Sequence, residues 1–93
     1  MSNFAGFSAV PKFSQKVTLN PANVPAASVN VETFTVNGLR VGMVPIVHAP
    51  SLEAGVTLIS SRITAANTLE LTFQNNTGGG INPASQAFEV LGL

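Results

Sequence analysis

An all-β fold, a small antiparallel β-sandwich or jelly-roll-like barrel with an extended N-terminal arm, is predicted by three features of the sequence. Apolar runs are short and separated by turn signals roughly every ten residues. Thr68 to Gln74 alternates apolar and polar side chains without error, and no segment sustains a helical period. The 93 residues allow one domain, which we place at residues 16–93, with the arm at residues 1–15.

The arm carries Phe4, Phe7 and Phe13 among small residues, with Pro11 and no steady period. Each ring can bury on the order of 150 Å², so the expectation is that the arm docks, on its own domain or on a neighbour. Phe4, Phe7, Phe13 and Pro11 are therefore the candidate partner-interface residues. A first strand is expected at Lys16 to Asn20, and Pro21 and Pro25 then exclude a helix or a central strand up to Ala27. Ser28 to Val36 reads as a strand with a fault. Val29 and Val31 are apolar on odd positions, Phe34 and Val36 on even ones, which predicts a β-bulge or a sheet crossing near Glu32 and Thr33.

Asn37-Gly38 predicts a type I′ hairpin that sets Val36 opposite Leu39 and Phe34 opposite Val41. Met43 to His48 follows as a strand with Val44 and Ile46 on one face, and Pro45 places it at an edge or a bulge. A short helical turn capped by Ser51 is expected at Pro50 to Ala54. Thr57 to Thr64 pairs with Thr68 to Gln74 through a loop of Ala65, Ala66 and Asn67, with Asn67 left-handed. That register puts Ile63 against Leu69, Ser61 against Leu71 and Ile59 against Phe73. A glycine-rich loop from Asn76 to Gln86 leads to the closing strand, Ala87 to Leu91, for six or seven strands in all.

Only 9% of the chain is charged, four basic and four acidic residues with no net charge, whereas soluble domains average about 25%. Ser, Thr and Asn supply a neutral polar surface in its place. The balance removes the electrostatic term that drives nucleic-acid binding. The first residues lack the pattern of a signal peptide, and the run Val41 to Val47 is far short of the roughly 20 residues of a membrane helix. Neither nucleic acid nor membrane is an expected partner.

The single histidine, His48, with Ser51 and Glu53 nearby, is the one candidate for hydrolytic chemistry; a histidine at a strand end or subunit boundary is the plainer reading. There is no cysteine or aspartate, and Glu32, Glu53, Glu70 and Glu89 are scattered, so no metal and no cofactor is expected. Gly78 to Gly80 lacks the Lys-Ser or Lys-Thr of a phosphate loop. Asn75-Asn76-Thr77 fits the glycosylation pattern, which means nothing without secretion. Arg62 and Glu70 are placed to pair across strands, and Arg40 follows the Asn-Gly turn. With no Trp or Tyr to stack on sugars, a carbohydrate-binding module ranks low.

Thr33 to Val47 and Ser61 to Leu93 resemble a group of small tailed-phage virion proteins. That group shows a Val-x-Gly-Leu-x-Val-Gly-Asp turn, an Arg-Val-Ser-Ala-Ala-Asn-Thr-Val hairpin and an Asn-x-Thr loop ending in Ile-Asp-Pro-Ala-Ser. Arg62, Ala65, Ala66, Asn67, Asn75, Thr77, Pro83, Ala84 and Ser85 match as they stand, whereas Met43 and Asn82 replace aspartates of the pattern. The likeness spans roughly residues 28–92 and lies in turns and hairpin corners, so it bears on fold more than on activity.

The resemblance implies a capsid decoration or cement protein, a small β-sandwich made in the host cytoplasm and carried on the head surface of the virion. Its partners would be the major capsid protein or neighbouring virion subunits, and several similar head-cementing proteins are trimers, so a homotrimer is favoured. No enzymatic activity is expected. A tail, collar or fibre component would use the same sandwich and arm, and a small carbohydrate-binding module is the alternative of a different class.

Overall fold

The computed structural model describes residues 11–93. Phe4 and Phe7, and the arm up to Val10, lie outside the described residues. Among the described residues six strands form two three-stranded antiparallel sheets: β1 (Phe13–Leu19), β2 (Ser28–Thr35), β3 (Pro45–His48), β4 (Val56–Ala65), β5 (Thr68–Asn75) and β6 (Gln86–Gly92). One sheet has the order β1-β6-β3 and the other β2-β5-β4. Among the described residues no ladder joins the two sheets, so the domain is a sandwich. No helix of the described residues is long and apolar enough to cross a membrane.

The sheets meet through their central strands. Phe73 of β5 and Phe88 of β6 are fully buried and touch edge to face, with ring centroids 6.4 Å apart and planes at 81°. Leu69, Leu71 and Val90 extend the core along the same strands, and Leu19, Val24, Val36, Leu39 and Val56 close it from the strand ends and connections. The alternation of β5 is complete: Leu69, Leu71 and Phe73 are buried while Thr68, Glu70, Thr72 and Gln74 are half-exposed.

The hairpin of β4 and β5 forms with the expected register near its closed end, but its loop is shorter than expected: Ala65 pairs with Thr68, and a register shift between Ile63 and Ala65 takes up the extra residue. Asn67 has φ 61°, Ile63 pairs with Leu69 and Ser61 with Leu71. Further along, a bulge between Leu58 and Ser60 shifts the register, so Leu58 stands opposite Phe73 and Ile59 is left 49% exposed. The predicted pairing of Ile59 with Phe73 is thus off by one residue. Leu58 and Ser61 differ in parity, and one extra residue between them is what lets both face inward.

The fault predicted in the second strand is absent. β2 runs in unbroken register along β5, from Ser28 opposite Asn75 to Thr35 opposite Thr68. Asn30, Glu32 and Phe34 face inward, and the pattern slips because Val29 and Val31 face solvent, 51% and 55% exposed.

The Asn37-Gly38 hairpin does not form either. Gly38 alone of the pair has positive φ, 105°, the pattern of a type II turn, which splays the flanking chain instead of pairing it. Asn67 takes the hydrogen bonds a hairpin partner would have made. Val36 N donates to Asn67 O at 2.9 Å, Asn67 N to Leu39 O at 2.8 Å, and Gly38 N to Asn67 Oδ1 at 2.8 Å. The chain therefore leaves this sheet after Leu39 and enters the other, where β3 is an edge strand, as Pro45 requires. Pro50 to Ala54 forms turns and no helix.

β1 begins at Phe13, three positions before the expected strand, and Lys12 N donates to Gly92 O at 2.7 Å. Phe13 therefore belongs to the domain and not to the arm. Its ring lies against Gly38, where an added Cβ would come within 2.7 Å of Phe13 Cε1, so this aromatic ties β1 to the turn that follows β2.

Phe88→Ala is expected to destabilise the domain by about 3 to 5 kcal/mol, the usual cost of truncating a fully buried aromatic. Chemical denaturation checks it, and an exposed control, Val41→Ala, should stay within about 0.5 kcal/mol.

Candidate interaction surface

The outward sides of both sheets carry the features that could meet another molecule. On the β1-β6-β3 sheet, strand pairing sets Ser14, Leu91 and Ile46 in one row and Lys16, Glu89 and His48 in the next. Together with Gln15 and Val90 these residues line a shallow concavity of about 390 Å³. Val44 continues the apolar side past the strand end, where Val44 N donates to Leu93 O at 3.0 Å and Leu93 N returns the bond to Val44 O at 2.9 Å. Ile46 is 46% and Val44 58% exposed, and the shared face that the alternation predicted for them is the outer one.

Charge contributes little here. Lys16 Nζ and Glu89 Oε2 stand 3.8 Å apart on exposed side chains, a pairing worth at most about 1 kcal/mol. His48 is exposed beside Glu89. No hydrogen bond joins it to Ser51 or Glu53 among the described residues. Ser51 N instead donates to Gln86 Oε1 at 2.8 Å, and Glu53 Oε2 accepts from Ala84 N at 3.0 Å. Glu53 and Ser51 thus hold two loops together, and the hydrolytic trio suggested by the spacing is not assembled. Among the described residues, no three His, Cys, Asp or Glu converge to hold a metal.

On the β2-β5-β4 sheet the outer side is neutral. Val29, Val31, Thr33 and Thr35 of β2 lie beside Gln74, Thr72, Glu70 and Thr68 of β5 in register. Among the described residues its only charges are Glu70 and Arg62, joined across strands at 2.9 Å as the pattern predicts. Ile59 adds a third aliphatic side chain on the β4 side. Burying a Val or Ile fully is worth about 1.5 to 3 kcal/mol, so these half-exposed side chains outweigh the ion pairs as a source of binding energy.

Of the candidate contact residues, Pro11 is exposed and Phe13 is half-buried within its own domain. The chain matches no known family, no curated protein and no solved structure. The functional reading therefore rests on the chain's own surface and on its motifs.

The Asn75-Asn76-Thr77 motif has a structural use that pattern reading missed. Asn75 is 1% exposed, and its Nδ2 donates to Val24 O at 3.0 Å and to Gly79 O at 2.8 Å. Its Oδ1 accepts from Thr77 N at 2.8 Å and lies 2.7 Å from Thr77 Oγ1. One side chain thus fastens the glycine-rich loop and the Val24–Ile81 bridge to the end of β5. The amide cannot carry a glycan in the folded protein. Gly55 packs against Thr77 Cγ2 with φ 90° and accepts from Asn76 N at 2.9 Å through its carbonyl, so the preceding turn is shaped to the same latch.

Asn75→Ala is expected to lower stability by about 2 to 4 kcal/mol, because each buried group left unpaired costs about 1 to 3 kcal/mol. The neighbouring exposed Asn76→Ala should change it by less than about 0.5 kcal/mol in the same denaturation measurement.

Proposed function

We propose that this chain is a structural subunit of a tailed-phage virion, a head decoration or cement protein that stabilises the shell by protein–protein contact. The observation that carries the reading is the pair of outward sheet sides, both with exposed Val or Ile and almost no unpaired charge. A free-standing protein gains nothing from such surfaces. A subunit pressed between copies of itself and a lattice does.

The turn and hairpin motifs, Val36 to Gly42 and Arg62 to Asn67, point to the same class. Its partners would be the major capsid protein or neighbouring virion subunits, with a trimer as the favoured homo-oligomer. Phe4 and Phe7, ahead of the strand that Phe13 begins, are aromatic anchors suited to a boundary between subunits. The role needs no catalysis, cofactor, nucleic acid or membrane, and it places the protein on the head surface after synthesis in the host cytoplasm.

Locating the protein in particles of the phage that encodes it, by antibody labelling in electron micrographs, tests this directly: label on the head is expected, and label confined to the tail would move the assignment there. Attachment should also resist salt. Raising ionic strength from about 0.1 M to about 1 M shortens the screening length from about 10 Å to about 3 Å, and subunits should stay on sedimented particles throughout. Removing Met1 to Val10 should leave a folded domain that binds particles more weakly in the same sedimentation.

A further inference from the structure

Four strands border the two sheets: β1 and β3 in one, β2 and β4 in the other. A bordering strand offers unpaired N–H and C=O groups to any passing chain, and proteins blunt such edges with Lys, Pro, bulges or brevity. Three of the four edges carry such a device. β1 contains Lys16 and follows Pro11 and Lys12; β3 has four residues and opens on Pro45; β4 has two register shifts and Arg62.

β2 carries none of these. Its eight residues contain no proline, glycine or basic side chain and run straight along β5. Beyond that ladder, no backbone hydrogen bond reaches Ser28 to Thr35 among the described residues. Its one charge, Glu32, points inward, a placement that guards an edge when the charge is left unmatched, but here Oε1 already accepts from Ala22 N at 2.8 Å.

We propose that β2 is a subunit interface: β2 of a second copy adds antiparallel to it about a two-fold axis through Val31, fusing two three-stranded sheets into one continuous sheet. The register follows from the side chains. Residues directly opposite one another share a face, so the axis must pass through a residue and not between two. The strand's midpoint leaves Val31 or Glu32. An axis at Glu32 would set two carboxylates against each other, which is destabilising.

An axis at Val31 sets Val31 against its twin and Val29 against Thr33 on the outer side. On the inner side it places the Asn30 amide opposite the Glu32 carboxylate, a donor against an acceptor, twice by symmetry. The strand is complementary to itself in that register. This joint goes beyond the virion reading and does not depend on it; in a three-fold assembly it would link one trimer to the next.

The chain has no cysteine, so introduced ones report without background. Facing Cα atoms in antiparallel strands are about 4.5 to 5.5 Å apart, inside the limit of about 7 Å for a disulfide. Val29 and its twin, four residues out of register, would be about 13 Å apart at about 3.3 Å per residue. Purified full-length Val31→Cys is therefore expected to run as a covalent dimer on a non-reducing gel after mild oxidation. Val29→Cys and Thr33→Cys should each stay single, and an equal mixture of the two should give the dimer.

All three positions are exposed, so the substitutions leave the core intact. A Val31→Cys protein that stays single in solution would overturn the proposal, even if it then linked to a shell protein on particles, which would give the edge to the shell. Cross-linking of Val29→Cys alone to the same extent would overturn the register. Since the assay uses protein away from any particle, its failure is distinct from failure of the virion assignment, which the labelling of particles decides.

Discussion

The contact of Phe73 with Phe88 is the constraint on which the rest of the molecule depends. Each sheet has only three strands, and neither could keep its apolar side out of water alone. The two rings sit on the two central strands, so each sheet is held at its middle and the edge strands need only follow. Phe13 against Gly38 then binds the side where β1 and β2 lie, and β3 lies near β4 on the other. With no disulfide and a core this small, little stability is held in reserve, and the connections must be fastened by specific hydrogen bonds.

Two asparagines do that fastening. Asn67 holds the chain where it first leaves the β2-β5-β4 sheet for the other, and Asn75 holds the glycine-rich loop by which it makes the same crossing again, from β5 to β6. A polar group can be buried cheaply only when its hydrogen bonds are satisfied, and the four contacts around the Asn75 amide meet that condition. Once met, the requirement is also specific: Asp, Ala or Gln at the same place would leave a donor or acceptor without its partner. This gives the Asn-x-Thr and Ala-Ala-Asn motifs a physical reason to exist that has nothing to do with chemistry performed on a ligand.

How far the fold was legible follows from which interactions were local. The β4–β5 hairpin could be read because its loop and both alternating faces lie within one stretch of chain, and Asn67 tolerates the left-handed backbone the loop needs. The Arg62–Glu70 pair followed from the same register. The Asn37-Gly38 turn misled because its outcome was decided by Asn67, a residue distant in the chain, and local turn preference cannot contain that. The bulge in β4 did leave a signal, in the change of apolar parity between Leu58 and Ile63, but the same signal in β2 belonged to valines that face solvent. Periodicity cannot distinguish a backbone irregularity from an apolar residue placed outside. The latch at Asn75 was hidden behind a pattern with another meaning.

That ambiguity is informative in itself. Natural sequences agree with their fold at most positions, and the places where pattern reading fails tend to be those kept for another purpose. The valines that broke the alternation of β2 lie on the one edge strand that has neither lysine, proline, bulge nor brevity to blunt it. Val at an outer position of a wet strand adds nothing to the core, and Thr, which fills the corresponding sites at Thr33 and Thr35, would satisfy the same backbone preference with a polar side chain. Retaining Val29 and Val31 there makes physical sense when a neighbour covers them. The same logic applies to Val44 and Ile46 on the opposite sheet, so one domain carries apolar side chains on two outward sides. A surface of that kind suits a subunit with neighbours on both sides, which is the geometry of a lattice and not that of a simple pair.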